Sequence, residues 1–473
     1  MKTMEELIIN EPGYFWWSEE ALEESELIPT NSLAGNLKLD ANGLAKLELH
    51  GMLSGGRGLF GNQNENLSRK RIRGVLKESK QHVLLMELYP NGSSFSNIGI
   101  SHEGYQALKT LVSRKPLPET YPLKYYEVSF DLSGFDDWVL KNSLTTKRKK
   151  NRLTISYLAP KNRSYKTGEG GSIKISHDLF APFDGDRRRN LELKEVTTIS
   201  YSRRKPFPLK EATTIYNRFQ DLLFLLTGAS KNLEWPRLKF GSPRQFCTYY
   251  FFRQEFKQSE VKWNECWLRL VDVEENFGEI FSNWQAKHEE IGPGFYLLIG
   301  TARAQKNYLE NKYVSLIWGL ESLHRKTKIE ESENKALKAK IERILSAIPQ
   351  GKDKTWLSKK LSHANEPSLQ QRLTDIFSVL PFNFPKKDLA EFCKSCADRR
   401  NDISHFGGQR HSQSYQDFID EIKTKADALL ILYHACILLE IGIEGEALRS
   451  IFKNSPNSFY RNEILERAGL RVT

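Results

Sequence analysis

Sulfur is scarce in this chain: five cysteines in 473 residues are too few, and odd in number, for a disulfide framework. Cys393 and Cys396 form a lone CxxC with no second pair at zinc spacing; on a helix they share a face and read as small buried apolar residues. No stretch approaches the ~18 consecutive apolar residues of a membrane span. The opening MKTMEELIINEPGYFWW is acidic where a secretory leader is basic, and it lacks a long apolar centre. A cytoplasmic location with no membrane partner is therefore expected. The run GGRGLFG at 55–61 lacks the Lys-Ser/Thr of a phosphate-binding loop and reads as a flexible loop. No repeat of fixed period marks a solenoid. Nothing suggests an NTPase, a nicotinamide site or a zinc site, so no cofactor and no metal are expected.

What the chain does have is positive charge. The formal net charge is +11, which favours a polyanionic partner. Residues 301–473 hold 28 Lys and Arg against 22 Asp and Glu, so more than half of the excess lies in the last third. Basic clusters also stand at 68–73, 147–152, 187–189 and 203–205. Each suits phosphate contacts, but a solvated loop is the commoner explanation for any one of them. An aromatic content of 11% argues for folded domains.

The hydrophobic pattern divides the chain into a β-rich first part and a helical last part. Asn42-Gly43 separates two alternating runs within 33–53, a hairpin signal. Residues 71–89 repeat that style, and 125–132, 172–178 and 191–201 are further strands. This predicts a sandwich or an open, barrel-like sheet over 1–205. The pattern changes after Pro206: 209–228 has helical spacing ending on a glycine, and 245–256 is another strand. Residues 206–294 are thus expected to be a mixed connecting region that continues the N-terminal part. Residues 295–473 are expected to form an all-α bundle of four or five helices. Leu309, Tyr313, Leu316, Ile317, Leu320 and Leu323 make one stripe in a helix predicted over 301–326. Helices follow at 335–348, 366–380 and 386–404, with PFNFP at 381–385 as a loop. Residues 426–441 are apolar nearly all round and should be the central buried helix, with His434 a satisfied core residue.

Chemistry concentrates in Arg399-Arg400-Asn401-Asp402-Ile403-Ser404-His405. Asn401 and His405 lie four apart and share a helix face; Arg400 is offset but long. Histidine exchanges protons near neutral pH, and arginine presents a planar fork to phosphate oxygens. Those two types suffice for metal-free RNA cleavage. On spacing alone, the alternative is a polar helix end whose Arg and His satisfy terminal carbonyls.

Arg400-Asn401-Asp402-Ile403-Ser404-His405 resembles the Arg-polar-x-x-x-His motif of HEPN domains. The helix YLENKYVSLIWGLESLHRK, ending in Glu321-Ser322-Leu323-His324-Arg325, is similar to the first long helix of that family, and the order of helices fits over roughly 295–460. The N-terminal hairpins, followed by YEVSFDLSGFDDWV, resemble the β-rich N-terminal domain of ApeA-type proteins, bacterial anti-phage proteins with a C-terminal HEPN domain. The resemblance implies an α+β multidomain chain and an endoribonuclease effector of abortive infection that cleaves cellular RNA, tRNA being one candidate. It implies catalytic roles for Arg400, Asn401 and His405. It also implies a homodimer with a composite site and a phage-derived trigger sensed by the β-rich part. Arg399 gives the six-step spacing and ranks second; Glu321 and His324 are possible supporting residues. Arg410, His411 and Lys394 are candidates to touch RNA. Two alternatives stay open: a catalytically silent HEPN-like module for RNA binding or dimerisation, and a toxin silenced by a second protein.

Overall fold

The computed structural model describes residues 7–19, 28–53, 70–96, 99, 101–117, 122–140, 143–181, 192–241, 245–254, 256–304, 307–327, 335–361, 366–406 and 414–472. The chain forms two compact units. The first comprises Met1–Asp136, Lys141–Gln220 and Asn232–Glu255; the second comprises Asp137–Leu140, Asp221–Lys231 and Phe256–Thr473.

In the first unit the two-residue alternation seen in the sequence becomes a barrel. Strands β1 (Leu7–Trp17), β2 (Leu33–Asp40), β3 (Ala45–His50), β4 (Ile72–Leu76), β5 (His82–Ser94) and β6 (His102–Ser113) pair in the order β6-β3-β2-β1-β4-β5, and β5 pairs back onto β6 to close the ring. Alternate residues point inward: Phe15, Leu37, Leu39, Leu47, Leu49, Ile72, Leu85 and Tyr105 fill the interior. The N-terminal part is therefore a closed six-stranded barrel with extra strands, the barrel-like member of the two expected architectures. The hairpin at Asn42-Gly43 forms, but with a longer turn than a two-residue loop: Asp40 Oδ1 accepts from the Asn42 and Leu44 amides at 2.9 Å each, and Gly43 takes φ 81°. Strand β1 was masked in the sequence by Pro12, which cannot donate to a ladder. Its pairing with β4 begins only at Gly13.

The free part of one β6 edge continues into a second run of strands. These are β14 (Phe246–Phe251), β13 (Arg237–Lys239), β7 (Lys124–Asp131), β12 (Lys194–Pro208), β11 (Gly171–Phe180) and β10 (Arg163–Lys166), in that spatial order. Strand β12 runs beyond the expected end at 201 because its register with β7 breaks between Ser202 and Phe207, leaving Pro206 outside the ladder. Stacked Tyr125 and Phe207 (5.0 Å) and Phe130 against Phe219 (5.0 Å) build the core beside it. Strands β8 (Leu144–Lys149) and β9 (Arg152–Tyr157) pair only with each other.

The helices are α1 (Asp136–Val139), α2 (Glu211–Thr227), α3 (Leu270–Val273), α4 (Phe277–Ile291), α5 (Pro293–Arg303), α6 (Leu309–Thr327), α7 (Lys335–Ser346), α8 (Lys352–Leu361), α9 (Leu369–Ser378), α10 (Lys386–Phe406), α11 (Tyr415–Glu440), α12 (Gly445–Lys453) and α13 (Ser458–Arg467). The stretch 206–294, expected to connect, is divided: it belongs to the first unit through Gln220 and again over Asn232–Glu255, and otherwise to the second. The helix expected over 301–326 is corrected. Thr301–Arg303 closes α5, and α6 starts at Leu309, where the apolar stripe starts. Among the described residues of 301–308 none is buried, so nothing there ties the two helices into one.

Helix α11 is the buried centre of the second unit, and Ser414 starts it by accepting from the Asp417 amide. Gly319 of α6 faces Tyr433 of α11 so closely that a Cβ would collide with the phenol, whose hydroxyl donates to the Gly294 carbonyl. His434 is fully buried: its Nε2–H donates to the Leu225 carbonyl (2.8 Å) and its ring stacks on Trp267 (4.2 Å). Burial pushes its pKa down to about 4, so it is a neutral core residue. No described helix is long and apolar enough to cross a membrane.

Candidate active site

Helix α10 presents the Arg-Arg-Asn-x-x-x-His run. Its inner face is set by Leu389, Phe392, Cys393, Cys396 and Ala397, all buried. Burial pushes both thiols up to about 12, so they are poor thiolates near neutral pH. The Tyr313 hydroxyl of α6 donates to the Cys396 carbonyl at 3.0 Å and fixes α10 against α6 one turn before the motif.

The two arginines are used differently. Arg399 is committed: Nε donates to Glu421 (3.0 Å), Nη1 donates to Asp402 (3.0 Å), and its guanidinium lies 5.7 Å from the Phe418 ring. Glu421 also binds Lys425 at 3.2 Å. Burial alone would raise the Glu421 pKa, but Arg399 and Lys425 hold it below the usual carboxylate range. Asp402, inside the motif, is buried as the partner of Arg399.

Arg400 is held loosely. Its Nη1 donates to Asn401 Oδ1 (3.2 Å), and Nη2 lies 3.6 Å from Glu321 of α6, a charge contact longer than a hydrogen bond. Its buried Nε has no hydrogen-bond partner among the described residues. Glu321 also binds Arg325 (3.2 Å), which binds Glu366 (2.8 Å), which binds Arg372 (2.6 Å). Charges thus alternate away from Arg400, and Glu321 is shared rather than dedicated to it.

His405 stands on the last turn of α10, exposed, with no hydrogen bond among the described residues. Asn401 lies one turn below it. At ~100° per residue, Arg400 and His405 of one chain stand roughly 140° apart around the helix. The structure therefore brings Glu321 and Asn401 to Arg400, while His405 points elsewhere. His324 is not at the site: it is buried, with Nε2 at 3.2 Å from Asp375 of α9. Lys394 is exposed on α10. Arg410 and His411 lie outside the described residues. Sequence reasoning missed Glu421, since nothing local marks a carboxylate 22 residues beyond its partner. Among the described residues no group of three or more His, Cys, Asp or Glu could hold a metal ion.

Two family models match the chain: ApeA N-terminal domain 1 over residues 12–284, and Apea-like HEPN over residues 314–447. The second match contains most of α6 and all of α10 and α11, hence Glu321, Arg400 and His405. No curated protein and no solved structure matches it.

Proposed function

The chain belongs to the ApeA family, with a HEPN effector domain of anti-phage defence at its C-terminal end, and from that membership we propose that it is a metal-independent endoribonuclease acting through Arg400, Asn401 and His405. The observation that carries the site is the contrast between neighbours. Arg399 spends its guanidinium on Glu421 and Asp402, whereas Arg400 keeps a buried, unpartnered Nε and one loose carboxylate contact. A phosphate presents the oxygens that such a guanidinium lacks.

In the proposed reaction an imidazole takes the 2′-OH proton and the 2′-oxygen attacks the adjacent phosphorus. The P–O5′ bond then breaks, and a second acid protonates the leaving oxygen. The products are a 2′,3′-cyclic phosphate and a 5′-hydroxyl. Arg400 stabilises the charge on the pentacoordinate phosphorus. One imidazole does not serve easily as base and acid in the same step, and in one chain it stands well around the helix from Arg400. Two copies meeting at α10 would supply two imidazoles and two guanidiniums, which supports a homodimeric site. Asn401 orients Arg400 through its side-chain oxygen. The substrate is cellular RNA, with tRNA the first to test. The β-rich part senses a phage-derived trigger or restrains the nuclease.

Purified protein with EDTA should cleave RNA and leave cyclic phosphate ends. Arg400→Ala and His405→Ala should each lower the rate by about 100-fold or more. Arg399→Ala should act first on stability, by ~2–3 kcal/mol, because the buried Asp402 and the half-buried Glu421 each lose a cation. Full activity in Arg400→Ala or His405→Ala would overturn the site. RNA binding without cleavage by the unaltered chain would instead identify a silent HEPN-like module.

A further inference from the structure

The basic cluster at 147–152 is not a loop. It is the distal half of the β8–β9 ribbon, joined by a two-residue turn at Lys150-Asn151. Every residue from Leu144 to Ser156 is exposed, so neither face of the ribbon is packed against the unit. Its pairing register sorts the side chains by chemistry. One face carries Thr145 opposite Ser156, Lys147 opposite Thr154, and Lys149 opposite Arg152. The other carries Leu144, Thr146 and Arg148 opposite Tyr157, Ile155 and Leu153. The first face is therefore only cations and hydroxyls. Between Trp138 and Gly168 there are nine Lys and Arg and no Asp or Glu. Among the described residues none of Lys147, Arg148, Lys149, Lys150 and Arg152 makes an ion pair.

Two like charges directly across a ladder destabilise it, and a two-stranded ribbon is marginal by itself. The arrangement at Lys149 and Arg152 is relieved by an anion that spans both strands. Same-face residues repeat every ~6.6–6.8 Å along a strand, so the anion must be a repeating one. We propose that the β8–β9 ribbon is a docking arm for the phosphodiester backbone of nucleic acid. The cations neutralise phosphates and the Thr and Ser hydroxyls donate to phosphate oxygens, without reading bases. No aromatic ring stands on the basic face, so base stacking contributes nothing there. An anionic membrane fits less well. Arg148 interrupts the apolar face beside Leu153, and entry of the leucines would drag that guanidinium into the acyl layer.

The proposal does not depend on the catalytic reading, and its test avoids cleavage. Binding of the full chain to labelled 2′-O-methyl RNA, as single strand and as duplex, and to duplex DNA is measured by anisotropy across a salt series. Lys147→Ala/Lys149→Ala/Lys150→Ala/Arg152→Ala should lose about tenfold or more in affinity, with its log–log salt slope reduced by roughly 3–4 on duplex. A control variant of equal charge loss on α8, Lys352→Ala/Lys354→Ala/Lys359→Ala/Lys360→Ala, should bind within about threefold of the unaltered chain. The ribbon variant should melt with the unaltered chain, because its positions pack against nothing. Unchanged binding in the ribbon variant, or equal losses in both variants, would overturn the proposal. So would ribbon-dependent binding to phosphatidylglycerol vesicles with none to nucleic acid. The three probes separate RNA from DNA as the source of the backbone.

Discussion

At the scale of single residues, position along a helix decides what a charged or polar group does. Arg399 and Arg400 are neighbours with opposite fates because ~100° separates them: one faces Glu421 of α11 and the other faces Glu321 of α6. The histidines differ in the same way. His405 is exposed at a helix end, while His434 is sealed against Trp267 and the Leu225 carbonyl. That burial has a measurable consequence. The folded-state pKa of His434 is depressed to about 4 from 6.5, so the unfolded chain binds the extra proton first as pH falls. Stability from this residue is present above pH ~6.5 and is lost as pH falls towards ~4, at up to ~1.4 kcal/mol per pH unit. His434→Gln keeps an amide donor for the Leu225 carbonyl and does not titrate. Urea melts at stepped pH should show a shallower acid loss for this variant, and parallel curves would refute the assignment.

At the scale of elements, the strongest sequence signals were those in which one physical cause dominates. Burial on one face gave the periodicity of α6 and α10, and burial all round gave α11. Two-residue alternation with Asn42-Gly43 marked β2 and β3. The failures have causes too. Pro12 hid β1. The end of α5 at Arg303 was invisible because helical residue types continue beyond it in the sequence. The β8–β9 ribbon has no buried face and so no alternation to detect. Helix α6 also depends on a missing side chain: Gly319 admits the Tyr433 ring. Gly319→Ala should cost about 1–3 kcal/mol by overpacking, read as a lower urea midpoint. An unshifted midpoint would mean that α6 and α11 can separate freely at this point. Glu321 sits only two residues further along α6, so the same variant should also disturb the contact with Arg400.

At the scale of the whole molecule, the motif was legible as a candidate but its chemistry was not complete within it. Its Asp402 is a structural partner of Arg399, and its His405 stands well around α10 from Arg400. If the site is shared by two copies, activity should follow pairs and not chains. Co-expressing His405→Ala with unaltered chains and purifying the mixture should give activity that falls as the square of the unaltered fraction. A linear fall would show that each copy works alone. This readout is separate from nucleic-acid binding by the ribbon, which each chain carries entire.

Strand β6 has one further consequence. Along one edge it serves two masters in sequence, β3 over His102–Ala107 and β14 over Lys109–Val112, while its other edge is taken by β5 throughout. The ring and the second run of strands therefore share a single seam. Loss of β6 from the ring would take a strand partner from β3, β5 and β14 together, so the ring and the second run are expected to melt as one. A substitution that loosens the ring at Leu47 should be felt at Tyr249, although their strands both pair with β6 and not with each other.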